Sequence, residues 1–254
     1  MAGMRTGEVG GELRLLNTEA LFDELPGVYR RVGLRRPGMI DRPDRWWTLI
    51  RQFMTRGDRN LVGVLHGPHG VEDGFVTYHV DRGERSVLNV HDLFAANDEA
   101  YRDLLRFVLG VDLVAEVRFG PSPLDAPVEL LLTDRRACRV TEVEDETWLR
   151  LVDVPAALAA RDYVAGEPVS IGVRDPLLPA NSGTYRIGAH GVERMDTEPD
   201  LRCDVDTVAT MYLGDVPASA LATAGRIEVS EPKAPARADA LFASPVSPWC
   251  GTFY

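Results

Sequence analysis

The stretch Trp148-Leu-Arg-Leu-Val-Asp-Val-Pro-Ala-Ala-Leu-Ala-Ala-Arg-Asp-Tyr163 decides how this chain is divided. Leu149, Leu151 and Val154 supply apolar, strand-like positions. Asp153 can then cap a helix, and Pro155 falls in its first turn, where no backbone donor is lost. Ala156, Ala157, Leu158, Ala159 and Ala160 favour that helix. The segment reads as a strand running into a helix, the opening of a new unit. The acidic turn Glu142 to Glu146 lies just upstream, so the boundary is drawn there: a Gly-rich, disordered start over 1–11, one unit over 12–142, and a second over 143–254.

Upstream of the boundary, Glu12 to Leu16 begins a strand. Leu21, Leu25, Val28, Tyr29 and Val32 share one helical face; Trp46, Leu49, Ile50 and Phe53 share another, with Asp44 near its start. Trp46 and Trp47 adjoin, so the helical reading lets only one of them point inward. Arg36 to Pro43 must be a loop. Leu61–His66, Gly74–Asp81 and Ser86–Phe94 read as strands separated by Gly-Pro-His-Gly and Asp-Arg-Gly turns, which predicts an antiparallel meander. A helix over Asn97–Leu109, a strand over Leu113–Phe119 and a short helical run to Asp134 complete a unit of mixed α and β character. Downstream, Val169–Val173 and Thr184–Ile187 read as strands; Asp206–Leu213, Pro217–Ala224 and Ala234–Phe242 read as helices. The fold class is α+β in two parts.

With 254 residues, 45% of them hydrophobic, the chain can bury one large core or two modest ones. No apolar run approaches the roughly 20 residues needed to cross a bilayer, and the first residues lack the apolar stretch of a secretion signal, so a cytoplasmic location is expected. Cys138, Cys203 and Cys250 stand far apart, which indicates neither a disulfide framework nor a zinc site. The net charge of −11 is uneven: residues 1–142 carry 19 basic and 22 acidic side chains, and 143–254 carry 9 and 17. Such a surface repels nucleic acid and anionic membranes and favours a cationic small molecule. Arginine outnumbers lysine 27 to 1, a feature of genomic base composition.

Few motifs carry chemistry by themselves. His66 and His69 flank a Gly-Pro turn, but no third metal ligand is evident beside them, and a hairpin tip explains the pair; no metal is expected. His79 and His91 fall in strands as core or face residues. Glu144, Asp145 and Glu146 could pair with amines or form a solvated acidic turn. No Gly-x-Ser-x-Gly elbow, Walker loop or dinucleotide fingerprint is present. No internal repeat is visible.

The Trp148 segment, Pro37-Gly-Met-Ile-Asp-Arg-Pro-Asp-Arg-Trp-Trp47, Leu131-Leu-Thr-Asp134, Tyr212-Leu-Gly214 and Ala224-Gly-Arg-Ile227 ahead of Ala238-Asp-Ala-Leu-Phe242 together resemble the enhanced intracellular survival (Eis) family of GNAT N-acetyltransferases. The resemblance runs from about Leu13 onward. It implies a GNAT-like domain followed by a sterol-carrier-protein-like domain. It also implies acetyl transfer from acetyl-CoA to amines of a cationic, aminoglycoside-like molecule, and a homo-oligomer. Full members of the family begin with a further GNAT domain that binds acetyl-CoA. On this reading the chain lacks that N-terminal domain and its cofactor site, and is the acceptor-binding and scaffold portion of the enzyme, completed by a separate GNAT domain or chain. The nearest phosphate-loop look-alike, Arg30-Arg-Val-Gly33-Leu-Arg35, ends on an arginine and closes an amphipathic helix.

In the resembling enzymes the terminal α-carboxylate acts as the base that prepares the amine for attack on the thioester, a role that the resemblance gives to Tyr254; by its residues alone the segment could equally be a disordered tail. A free α-carboxyl titrates near ~3.5, and burial beside Trp249 and Phe253 raises it towards a useful base. Phe253 stands where other members carry an acidic residue. Trp47 and Trp148 match positions that line the acceptor pocket, where an aromatic wall suits a sugar ring or ammonium group; each could equally be an ordinary core residue. The alternative function is a non-catalytic small-molecule or lipid binding module on the sterol-carrier-like fold.

Overall fold

The computed structural model describes residues 4, 10–55, 60–164 and 166–252. They form two compact units: Met1–Glu144 together with Trp249–Tyr254, and Asp145–Pro248. Trp249–Thr252 thus group with the first unit and not with the residues that directly precede them.

Unit 1 begins with β1 (Leu13–Leu16) and α1 (Thr18–Val32). The Asn17 side chain caps α1 by accepting from the Ala20 N–H at 3.0 Å. Then come α2 (Asp44–Met54), β2 (Val62–His66), β3 (Gly74–Asp81), β4 (Val87–Ala95), α3 (Asp98–Leu109), β5 (Glu116–Phe119) and α4 (Val128–Leu131). The sheet runs in chain order β1-β2-β3-β4-β5. The first four strands make the expected antiparallel meander, and β5 joins β4 in parallel through the α3 crossover.

The sheet has a core on each face. Leu65, Phe75 and Phe94 pack with residues of α1 and α2, while Val64, Val76, Tyr78, Leu88 and Val90 pack with residues of α3. Along β4 the alternation changes phase. Phe94 belongs to the α1/α2 face, yet Val90 and Leu88, which have the same parity, belong to the α3 face. The cause is a β-bulge: Thr77 pairs with Asp92 and Tyr78 with Val90, leaving His91 as the extra residue. Asp92 is thereby set in phase with Phe94.

Unit 2 holds α5 (Val154–Ala160), β6 (Val169–Arg174), β7 (Gly183–Gly188), β8 (Gly191–Met195), β9 (Leu201–Asp204), α6 (Val205–Tyr212), α7 (Ala218–Thr223), β10 (Glu228–Val229) and α8 (Ala234–Phe242). Its sheet has the order β10-β9-β6-β7-β8, with β6 and β9 parallel. Val169, Ile171 and Val173 of β6, Tyr185 and Ile187 of β7, and Leu201 and Cys203 of β9 point into one core with Leu158, Val208, Leu221 and Leu241 of the helices. No helix among the described residues is long and apolar enough to cross a membrane.

Three sequence expectations are corrected here. The segment before α5 is not a strand. Trp148 is 88% exposed, only Leu151 turns inward, and side chains hold the segment where a ladder would have: Arg150 pairs with Asp175 at 2.8 Å and Asn181 Nδ2 donates to the Val152 carbonyl at 3.1 Å. The helix start is as expected, with Asp153 accepting from the Ala156 N–H at 2.9 Å and Pro155 in the first turn. Second, both Trp46 and Trp47 are buried, their rings edge to face at 5.0 Å. Third, β8, β9 and β10 form where no strand was read; they are short, and β8 and β10 are exposed edges whose pattern carries little apolar alternation.

Candidate functional site

The most unusual environment in unit 1 surrounds Arg42, in the loop before α2. Its side chain is 1% exposed. Nη1 and Nη2 each donate to an Asp92 carboxylate oxygen at 3.0 Å, a two-pronged pair that depends on the β4 bulge to aim Asp92 at this face. Around the guanidinium stand four rings: its carbon lies 4.3 Å from the centres of Tyr29 and Trp46, 5.2 Å from Phe94 and 5.4 Å from Trp47. This box explains why both tryptophans are buried, since one helical face packs on apolar neighbours while the other closes over the cation.

The remaining donors of Arg42 reach the returning tail. Nη2 donates to the Gly251 carbonyl at 2.5 Å and Nε to Thr252 Oγ1 at 3.1 Å. Tyr29 OH donates to the Ile40 carbonyl at 2.8 Å and lies 3.4 Å from Thr252 Oγ1; burial pushes its phenol pKa up, so it stays protonated. Trp249 stacks on Phe94 at 5.2 Å and donates its backbone N–H to the Pro37 carbonyl at 3.0 Å. Cys250 and Thr252 are 4% and 2% exposed.

The residues singled out by sequence are placed as follows. Trp47 is 6% exposed and forms part of the Arg42 box. Trp148 is exposed in unit 2. Phe253 and Tyr254 lie outside the described residues. Glu144 and Asp145 are exposed and Glu146 is half-buried. His66 and His69 are drawn to different partners. His66 lies between Asp73 (Nδ1 to Oδ1, 2.6 Å) and Asp103 (Nε2 to Oδ2, 3.3 Å). Burial pushes the Asp103 carboxyl up, but the Gly11 and Gly10 N–H groups and His66 outweigh it and hold its pKa below the ordinary range. His69 stands with Glu24 and Glu72, a trio within reach of a cation, yet Arg14 pairs with both carboxylates and Arg31 with Glu72. Two guanidinium groups thus already balance the acidic charge that a metal would need. His79 and His91 bond to each other, Nδ1 to Nε2, at 2.6 Å.

Arg42 and Asp92 were not singled out in the sequence. A signal was there: Asp92 is the one carboxylate in the strand Val87–Ala95, and Arg42 directly precedes the Pro that opens the Trp-Trp helix.

The start of α3, at the carboxyl end of β4 and beside the parallel β4–β5 pair, is where a nucleotide pyrophosphate would be sought. Its residues do not fit one. The Asn97 side chain already accepts from the Ala100 N–H at 2.9 Å, Asp98 and Glu99 occupy the first turn, and Asn97 Nδ2 binds the Asp73 carboxylate at 2.7 Å. Three carboxylates stand where an anion would need donors. The Arg30–Arg35 look-alike is the end of α1, where Tyr29 crowds Gly33: a β-carbon there would lie 2.5 Å from its ring.

Comparison with known proteins gives two family matches: an acetyltransferase (GNAT) domain over residues 38–151 and a sterol carrier protein domain over residues 154–251. The chain is 32% identical over 246 residues to the N-acetyltransferase Eis of Mycobacterium tuberculosis, covering 93% of this chain and 58% of that protein. It is 31% identical over 260 residues to an uncharacterized N-acetyltransferase of Streptomyces griseus, covering 95% and 61%. Among solved structures, Eis1 of Mycobacterium abscessus superposes with a TM-score of 0.92 at 36% identity, over all of this chain and 65% of that one. The chain therefore spans about three fifths of the length of the curated relatives it matches. The GNAT match at 38–151 agrees with the GNAT-like domain expected in the first part of the chain, and it does not support the expectation that an acetyl-CoA-binding GNAT domain is missing and the chain incomplete for want of it.

Proposed function

This chain belongs to the Eis-like GNAT N-acetyltransferase family, a GNAT-like domain followed by a sterol-carrier-protein-like domain, and from that premise we propose that it serves in acetyl transfer to amines of a cationic small molecule, holding the acceptor and presenting its own C-terminus to it. The observation that carries the reading is the return of Trp249–Thr252 to the GNAT unit, where Arg42 holds it. The Tyr254 carboxylate then takes a proton from the acceptor ammonium, and Phe253, its neighbour in sequence, offers aromatic surface; Trp148 is a separate aromatic candidate, exposed on unit 2. Trp47 contributes through the Arg42 box. The net charge of −11 supports a polycationic acceptor of the aminoglycoside kind. Acetyl-CoA is the acetyl donor the family implies; because the start of α3 does not fit its pyrophosphate, no step is assigned to that helix.

Cytoplasmic placement and a homo-oligomer belong to the same reading; α2 leaves Leu49 and Phe53 about three-fifths exposed, apolar surface that an assembly would cover. The acidic first turn of α3 favours a second reading, a non-catalytic binding module. Its lipid version has less support, because two hollows of unit 2 are lined by charge, one with Glu167, Arg186, Asp200 and Arg237 and the other with Arg174, Glu198, Arg202 and Asp204.

The test is acceptor-dependent release of CoA thiol from acetyl-CoA with an aminoglycoside, using this 254-residue chain and a variant lacking Phe253 and Tyr254. Release is expected from the full chain, with a loss of about 10²-fold or more in the variant. No acceptor-dependent release from the full chain overturns the transferase reading; equal rates overturn the terminal carboxylate as base.

A further inference from the structure

We propose that Arg42 is a positioning residue: held by Asp92 and the four-ring box, it latches the C-terminal tail at Gly251 and Thr252 and thereby sets where the last two residues start. The inference rests on the reading of the Tyr254 carboxylate as base.

A buried ion pair kept only for stability is usually replaceable, both partners together, by apolar side chains of similar volume. Arg42 does more than balance a charge. Asp92 takes one donor from each terminal nitrogen, and the aromatic faces close the guanidinium off from water. The donors left over point at the tail, one at a backbone carbonyl and one at a hydroxyl, at residues 209 and 210 positions away in sequence. Planarity makes this a fixed fork: with the Nη1/Nη2 edge committed to Asp92, the Nε/Nη2 edge leaves the Gly251 carbonyl and Thr252 hydroxyl one place to sit.

The tail is shaped to meet it. Gly251 has φ +61°, and a β-carbon there would lie 2.7 Å from the Trp249 indole, so glycine is needed for the chain to fold back over that ring. Trp249 is itself fixed by Phe94 and the Pro37 carbonyl. Two residues of extended chain reach at most about 7 Å, so fixing Thr252 confines whatever follows it. A general base must come within hydrogen-bond reach of the proton it removes, which makes such confinement matter for rate. The same geometry gives Trp46 and Trp47 a task other than facing the acceptor: the cation in their box is the protein's own.

The experiment uses the full chain and Thr252→Val, which removes the hydroxyl that accepts from Nε while leaving the Arg42–Asp92 pair intact. Two quantities are read: amide exchange of the tail by mass spectrometry, and kcat and KM for aminoglycoside acetylation. Thr252→Val is expected to speed tail exchange and lower kcat, each about tenfold, with KM for acetyl-CoA unchanged. Thr252→Ser, which keeps the oxygen, is expected to restore both. Gly251→Ala provides a second route, straining the turn without touching the ion pair, and is expected to give the same two changes. Unchanged tail exchange in Thr252→Val and Gly251→Ala overturns the latch. Faster exchange with unchanged kcat overturns the positioning role. A wild-type chain without acceptor-dependent activity overturns the transferase reading and the catalytic purpose of the latch together, and tail exchange still decides whether the latch exists.

Discussion

Unit 1 takes five Arg, His, Asp or Glu side chains into its interior, Arg42, His66, Glu72, His79 and Asp103, whereas unit 2 takes Asp175 alone among the described residues. Both are built on five-stranded sheets with one parallel pair, so topology does not cause the difference. Unit 2 is held by an apolar core of β6, β7 and β9 against its helices, and its acidic surplus stays at the surface. Unit 1 accepts the desolvation cost of buried charge and offsets it by pairing in fixed geometry: Arg42 with Asp92, Glu72 with Arg14 and Arg31, His66 between Asp73 and Asp103. Apolar burial stabilises without direction, while buried ion pairs position atoms. The unit that receives the tail is the one that uses the second means.

The largest expected effect that would break this contrast comes from Arg42→Met. It leaves the Asp92 carboxylate, 13% exposed, without its counterion in an aromatic surround, at a cost of about 3–5 kcal/mol. Three of the four tryptophans belong to unit 1, and Trp46, Trp47 and Trp249 all adjoin this cluster. Tryptophan fluorescence during urea unfolding should therefore show an earlier transition for unit 1, with the circular dichroism of unit 2 persisting beyond it. A single unshifted transition would mean that Arg42 does not organise unit 1.

The matching test in unit 2 is made with acid. Burial pushes the Asp175 carboxyl up, but the Asn181 amide, the Leu178 N–H, Arg150 and the Leu177 N–H outweigh it and bring its pKa down to about 2 from an ordinary 3.8. A group depressed on folding contributes stability that is complete above its unfolded value and is lost as pH falls through the folded one. That window runs from about pH 4 down to about 2. Asp175→Asn should flatten the acid limb of the unit 2 melting curve across the window; an unchanged limb would show that the Asp175 node does not tie the Arg150 segment to the sheet.

The smallest effect is expected at Trp148. Its exposure predicts that Trp148→Ala alters the melting temperature by an amount equivalent to less than about 0.5 kcal/mol. If the residue offers its ring to the acceptor, KM for the aminoglycoside rises while stability stays put. A marked fall in stability would instead show that the ring is packed in solution.

Local elements were legible where one short stretch carried both pattern and punctuation. Gly74–Asp81 and Ala234–Phe242 have the bounds read from sequence, and Asn97 and Asp153 sit at the helix starts they were expected to cap or begin. Trp148–Val152 misled because apolar residues suggested a strand while nothing local revealed that Asp175 and Asn181 would hold the segment through side chains in place of a ladder. The edge strands β8 and β10 were missed for the complementary reason: their ladder partners supply the stability that their own composition lacks.

The sequence by itself determined the α+β class and the resemblance that points to amine acetylation, because each depends on local periodicity or on an ordered run of short motifs. Tertiary structure alone decided the site. The bulge at His91 rotates Asp92 to the α1/α2 face, Arg42 closes two tryptophans around itself, and Gly251 and Thr252 meet it. Residues 42, 92 and 252 share no pattern along the chain; they are joined only because a buried cation must find its anion and spend its remaining donors on whatever the fold brings within hydrogen-bond reach.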